Sequence, residues 1–243
     1  LRAPAPRGPD AVEEEPLEEG TTLDTGERWA RLNDISYFLI AAQLYREDGR
    51  FFTNRGINWY QMRLVLEDAL ATGWPERGAS TISMQLVKNV FLSHERSIER
   101  KLQELFLTYW MTRLVPKERI LEVYLNVIEW GPGVNGVVDA AEHYFGVAPG
   151  DLGLAEAAWL SLITPAPNRR APQREMGEPP AWMMSWVEST LTGMRDRDWI
   201  TQAEHAKALV AGVRFVGDDG APVRPTRTPP PVGDALSDPF DPT

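Results

Sequence analysis

The chain has no cysteine, which excludes a disulfide framework and any thiolate metal site. A cysteine-free chain suits an oxidising space as well as the cytoplasm, so the compartment stays open on this count. No apolar run approaches the roughly 20 residues that cross a bilayer. The longest apolar-rich stretch, 35–45, is interrupted by Ser36 and Gln43 and reads as a core helix. No basic-then-apolar targeting pattern is visible, and any anchor segment is expected to lie outside this chain. An excess of positive charge is also missing. Lys and Arg total 25 against 35 Asp and Glu, a net charge of −10. A general nucleic-acid binder needs a basic face to displace counterions, so that class is excluded.

The 243 residues are enough for one substantial domain, and 43% hydrophobic with 25% charged is a globular composition. Residues 1–26, rich in Pro, Gly and Glu, read as a flexible acidic leader. Residues 27–213 form the expected domain, and 214–243 a Pro- and Asp-rich disordered tail. Strand-like alternation is rare and no internal repeat stands out. The apolar spacing predicts helices over 28–45, 59–72, 80–90, 97–113, 116–128, 154–162, 182–194 and 202–210. Ser80 is the expected N-cap of the third. Gly131, Gly133 and Gly136 predict a turn-rich loop. The fold class is therefore mainly α.

Charge is unevenly spread. Between residues 77 and 119 there are eight basic side chains against four acidic ones, a positive island in an acidic protein. Such an island points to a local anionic ligand, with phosphate the leading candidate.

Three stretches could carry chemistry. Glu47 and Asp48 close an apolar helix beside Phe51 and Phe52. A carboxylate against apolar surface has its pKa raised and can serve as a general acid or base. Held by Arg46 and Arg50 at a wet helix end, the same pair would do nothing special. In the stretch 78–89, helical spacing puts Thr81, Gln85 and Lys88 on one face, following a helix start at Ser80. That face could hold a diphosphate or sugar hydroxyls, or could be the wet side of an amphipathic helix. In the third, Arg100, Lys101 and Glu104 lie away from an apolar stripe of Ile98, Leu102, Leu105, Phe106 and Tyr109. As an exposed i,i+4 pair, Arg100 and Glu104 would contribute about 0.3–0.5 kcal/mol. Otherwise they are a second carboxylate positioned by a guanidinium. Together the three stretches would suit sugar transfer from a diphosphate leaving group, one carboxylate taking a proton and cations taking up the departing charge.

In this order, the stretches resemble the motifs of glycosyltransferase family 51, in particular its monofunctional biosynthetic members. The first motif is matched by Glu47, Asp48, Phe51 and Gly56. The second is matched by Gly78, Ser80, Thr81, Ile82, Gln85, Leu86, Lys88 and Asn89, and the third by Arg100, Lys101 and Glu104. A fourth is met by Lys117, Ile120, Leu121, Glu122, Tyr124, Leu125 and Asn126. The resemblance covers residues 30–172.

It implies a lysozyme-like helical domain with a small membrane-facing subdomain near 57–75, where Trp59, Tyr60, Met62, Leu64, Leu66 and Trp74 would meet the bilayer interface. It implies an inverting peptidoglycan glycosyltransferase that polymerises lipid II into β-1,4 glycan and releases undecaprenyl diphosphate. Glu47 and Glu104 would be catalytic. Asp48, Ser80, Gln85, Lys88, Asn89, Arg100 and Lys101 would bind substrate. No cofactor is implied as required, with a divalent metal (Mg or Mn) near the diphosphate, at Glu104, left open. The implied partners are lipid II, the growing glycan, the membrane surface and cell-wall synthesis or division proteins, and the implied location is the periplasmic face of the inner membrane. Four positions depart from the family pattern: Asn54 for a His, Thr112 for an acid, Pro132 for an Asp, and Arg46 before the base, where a guanidinium would lower the Glu47 pKa. Asn54, Thr112 and Arg46 favour a second reading, a weak or inactive member that binds lipid II or glycan within a synthesis complex. A glycan-cleaving hydrolase using an acid pair is a third.

Overall fold

The apolar periodicities resolve into helices. The computed structural model describes residues 28–72, 79–92, 97–170, 177–217 and 220–221, leaving aside the side chains of Leu66, Asp68, Ala69, Ala71, Thr72 and Ile98. The acidic leader, Trp74, Gly78 and residues 222–243 of the tail lie outside the described residues. In chain order the elements are α1 (Tyr37–Glu47), α2 (Trp59–Thr72), α3 (Ile82–Phe91), α4 (Ile98–Leu114) and α5 (Lys117–Val127). A hairpin follows, β1 (Glu129–Gly131) and β2 (Val134–Asn135). Then come α6 (Val137–Phe145), α7 (Leu154–Ile163), α8 (Pro167–Arg170), α9 (Ala181–Arg195) and α10 (Gln202–Ala211). The mainly-α expectation holds.

Several local details differ from the expected ones or sharpen them. The first helix starts at Tyr37 rather than near residue 28 because the preceding backbone bonds sideways. The Asn126 amide pairs with both Ala30 N–H and Ala30 C=O, at 2.9 and 2.8 Å, and Glu122 accepts from Leu32 N at 2.9 Å. The turn-rich loop at 131–136 is a hairpin turn. Pro132 supplies the fixed φ of the first corner and Gly133, at φ +74°, the positive φ of the second. The departure at Pro132 is thus a turn residue in its proper place.

α7 is the hub. Every residue in it except Glu156 is buried, which is how a helix without a polar face must sit. Its small residues Ala155, Ala157 and Ala158 let neighbours approach, and α1, α9 and α10 pack on it. α3 packs on both α5 and α4. α1 and α9 come so close that a Cβ on Gly193 would lie 1.9 Å from the Tyr45 hydroxyl. The ordered chain also continues past the expected boundary at 213. Phe215 is fully buried against Tyr144, Phe145 and Trp159, and Val216 N donates to Tyr144 O at 3.0 Å.

α4 turns most of its apolar stripe outward. Leu102, Phe106, Tyr109, Trp110 and Leu114 are exposed, Phe106 to 63%, while Glu104 and Thr108 face inward at 2% and 0%. The polar edge of the helix packs against α3 because Glu104 is neutralised there by Arg100 and Lys101, and the apolar stripe is left outside. On α2, Trp59, Tyr60 and Leu70 are exposed as well, whereas Met62 and Leu64 are half-buried.

Candidate active site

The end of α1 and the start of α3 frame a cavity of about 420 Å³ lined by Glu47, Asp48, Gly49, Arg50, Asn58, Tyr60, Gln61, Ala79, Ser80 and Thr81. Glu47 is the last residue of α1, half-buried, and burial raises its pKa above the ordinary carboxylate value. The Gln85 amide, Arg46, Arg170 and Lys88 each pull the other way, and burial outweighs them. The expectation that Arg46 would leave Glu47 with a depressed pKa is therefore overturned: the guanidinium acts in that direction but loses to desolvation.

Asp48 is buried and occupied. Asn54 Nδ2 donates to its two oxygens at 2.8 and 3.0 Å, and the N–H groups of Ile82 and Arg50 point to it. Asn54 Oδ1 in turn accepts from Gly56 N at 2.9 Å and from Lys117 Nζ at 3.0 Å. An amide both donates and accepts, so Asn54 satisfies the carboxylate, a turn N–H and an ammonium together. Asp48 thereby ties the end of α1 to the start of α3.

The N-cap of α3 is Thr81 rather than Ser80. Its Oγ1 accepts from Met84 N at 3.2 Å and donates to Gly56 O at 2.5 Å. A hydroxyl spent on both bonds is not offered to a ligand, so the expected face of Thr81, Gln85 and Lys88 loses its first member. Ser80 is exposed and lines the cavity. Gln85 donates to Glu47 Oε2 at 2.6 Å, and Lys88 and Asn89 are exposed on the following turn.

Arg100, Lys101 and Glu104 make a compact ion triad, with Arg100 Nη1 at 3.0 Å and Lys101 Nζ at 2.6 Å from the carboxylate. They lie outside the lining of the Glu47 cavity. Arg100 Nε is buried and has no hydrogen-bond partner among the described residues. Two cations already hold the Glu104 carboxylate, so a divalent ion bridging it to a diphosphate would have to displace one of them. A second cavity of about 440 Å³ adjoins the first, sharing Arg50 and Asn58 and adding Arg55, Trp59, Tyr109 and Arg113.

Glu47, Asp48 and Ser80 thus line one cavity, Gln85 reaches Glu47 from α3, and Lys88 lies near enough to act on the Glu47 charge, while Arg100, Lys101 and Glu104 on the neighbouring α4 are not among the lining. A family profile described as Transglycosylase matches residues 14–192. The chain belongs to the transglycosylase family. Transglycosylase relatives include the biosynthetic peptidoglycan transglycosylase of Brucella suis biovar 1, 42% identical over 147 residues that cover 60% of this chain and 65% of that protein. The corresponding protein of Rhizobium meliloti is 46% identical over 143 residues, 59% of this chain and 60% of its own. The chain therefore spans less than two thirds of the length of these relatives. Penicillin-binding protein 1A from Haemophilus influenzae overlaps at 26% identity and a TM-score of 0.34, covering 54% of this chain and 16% of that one, a partial overlap that does not define the fold.

Four side chains to which the sequence assigned no role in the site shape it: Gln43 and Arg170 around Glu47, together with Tyr124 and Lys117, named before only as members of the fourth motif. Gln43 left a signal, a buried amide four residues before Glu47 in an apolar helix.

Proposed function

We propose that this transglycosylase is a peptidoglycan glycosyltransferase that polymerises lipid II with inversion. Glu47 takes the proton from the 4-hydroxyl of the incoming disaccharide. The freed oxygen attacks the anomeric carbon of the growing chain, the bond from that carbon to the diphosphate oxygen breaks, and the electron pair leaves with undecaprenyl diphosphate. Lys88 and Arg100 meet the departing charge, with Glu104 holding Arg100 in place and also pairing with Lys101. Ser80 and Asn89 flank the sugar and phosphate path. Asp48 acts from beneath as an anchor of the cavity wall. The substrate's lipid and the exposed apolar faces of α2 and α4 suit a membrane surface, on the periplasmic side of the inner membrane. Among the described residues no helix is long and apolar enough to cross one.

The observation that carries this reading is a cavity-lining carboxylate whose pKa is raised by burial while cations stand near it. A carboxylate so placed binds a proton more readily than an ordinary one, as a general base requires. Glu47→Gln should lower lipid II turnover by about 10²–10⁴-fold with lipid II binding retained. Turnover of labelled lipid II at the parent rate would overturn the assignment.

A further inference from the structure

The hydrogen bonds behind Glu47 form a closed circuit through three helices. Gln43 on α1 donates from Nε2 to the Tyr124 hydroxyl on α5 at 3.1 Å. Tyr124 donates to Gln85 Oε1 on α3 at 3.0 Å. Gln85 donates from Nε2 back to Glu47 Oε2 on α1 at 2.6 Å, one turn along from Gln43. Gln43 and Tyr124 are both fully buried. Thr164 steadies the far end, its hydroxyl 3.3 Å from Gln43 Oε1.

The direction of this circuit is determined. A phenol has one proton to give. Because Gln43 donates into the Tyr124 oxygen, the Tyr124 proton is turned toward α3, where it meets an acceptor only if Gln85 presents its carbonyl. The amide's NH2 end is then the end that faces Glu47. Reversing Gln85 would set two donors against each other at Tyr124 and a carbonyl against a carboxylate at Glu47.

We propose that Tyr124, set by Gln43, is a positioning residue that locks the Gln85 amide so that its NH2 grips Glu47 Oε2, leaving Oε1 as the oxygen that receives the substrate proton. Tyr124 does not touch the substrate; it acts through Gln85. The inference rests on Glu47 being the base.

The consequence is readable in pH dependence. The charged groups around Glu47 are Arg46 on α1, Lys88 on α3 and Arg170 on α8, with Tyr124 the titratable group on α5. Tyr124 is held protonated by burial, its pKa well above the ordinary tyrosine value, so it remains a donor across the working range. Tyr124→Phe keeps the ring and removes only the proton that orients Gln85. With the amide free to reverse, ionised Glu47 loses a donor, its pKa rises, and less of it is ionised at a given pH.

The lower limb of kcat/KM against pH, which reports the free enzyme's base, should move up by about one unit in Tyr124→Phe. Activity should fall by up to about ten-fold on the acid side of the parent midpoint and converge on the parent at high pH, with KM little changed. Gln43→Met, which unseats the Tyr124 proton from the other side, should shift the limb in the same direction by less, and carries the test if Tyr124→Phe is too poorly folded for a profile. Limbs that superimpose on the parent, or a uniform loss at every pH, overturn the proposal. Glu47→Gln separates the two levels. If it polymerises normally, the assignment of the base has failed; if it is inactive while Tyr124→Phe keeps the parent midpoint, only the relay has.

Discussion

Glu47 is subject to opposing demands, and the conflict can be measured. Burial raises its pKa in the folded protein, so the charged form that catalysis needs is the form that folding disfavours. A raised folded-state pKa contributes stability that is present in acid and lost as pH climbs from the ordinary carboxylate value of 4.5 through the folded value. Glu47→Gln removes the titration while its carbonyl can still accept from Gln85. The variant should therefore melt above the parent at pH 7, with the gap closing as pH falls below 4.5. Thermal unfolding across that range tests it, and a gap independent of pH would mean that Glu47 is not strained by burial. Their position alone leaves Glu47 and Asp48 alike, two adjacent acids at a helix end, and only the family resemblance gave them different roles. What separates them is the local geometry of one residue's step. Asp48 turns inward onto Asn54 and the first N–H of α3, and Glu47 turns toward the cavity. The chain shows both influences on the Glu47 pKa, apolar neighbours that raise it and Arg46 that lowers it, but not the depth of burial that decides between them.

At the scale of elements, helix positions were legible because apolar spacing reports periodicity directly: α2 matches its expected range, and α3, α4, α5, α7, α9 and α10 lie within two residues of theirs at either end. The orientation of α4 was not legible. An apolar stripe normally faces a core, and nothing in spacing says when it faces outward instead. The decisive factor is the triad of Arg100, Lys101 and Glu104, which lets the polar edge pack inward with its carboxylate matched. The exposed stripe then needs a cover, and for a lipid-linked substrate a membrane surface is the fitting one. Phe106→Ser combined with Trp110→Ser should change folding stability by no more than about 0.5 kcal/mol, since both side chains are exposed. The same pair should weaken partition onto phospholipid vesicles by about ten-fold or more, from the loss of two aromatic insertions. Vesicle flotation decides it: equal partition of parent and variant would show that α4 meets something other than lipid.

For the whole molecule, the site depends on a core that closes well away from the cavity. α7 carries α1, and α1 carries Glu47, so anything that loosens the packing around α7 reaches the base through one rigid helix. The last described stretch does that packing. Phe215 enters the cluster with Trp159 at 4.8 Å and Phe145 at 6.0 Å between ring centroids, and its backbone N–H is fixed to Gly177 O at 3.0 Å. The Pro- and Asp-rich composition beyond it hid this role, because one aromatic in a polar stretch has no periodicity to betray it. Phe215→Ala should cost about 3–5 kcal/mol of stability, the loss of a fully buried aromatic with incomplete collapse around it. Chemical denaturation measures that cost. If the core transmits strain to the site, the surviving folded fraction should also show a lower kcat. A cost below about 1 kcal/mol would instead place Phe215 outside the cooperative unit that holds the catalytic helix.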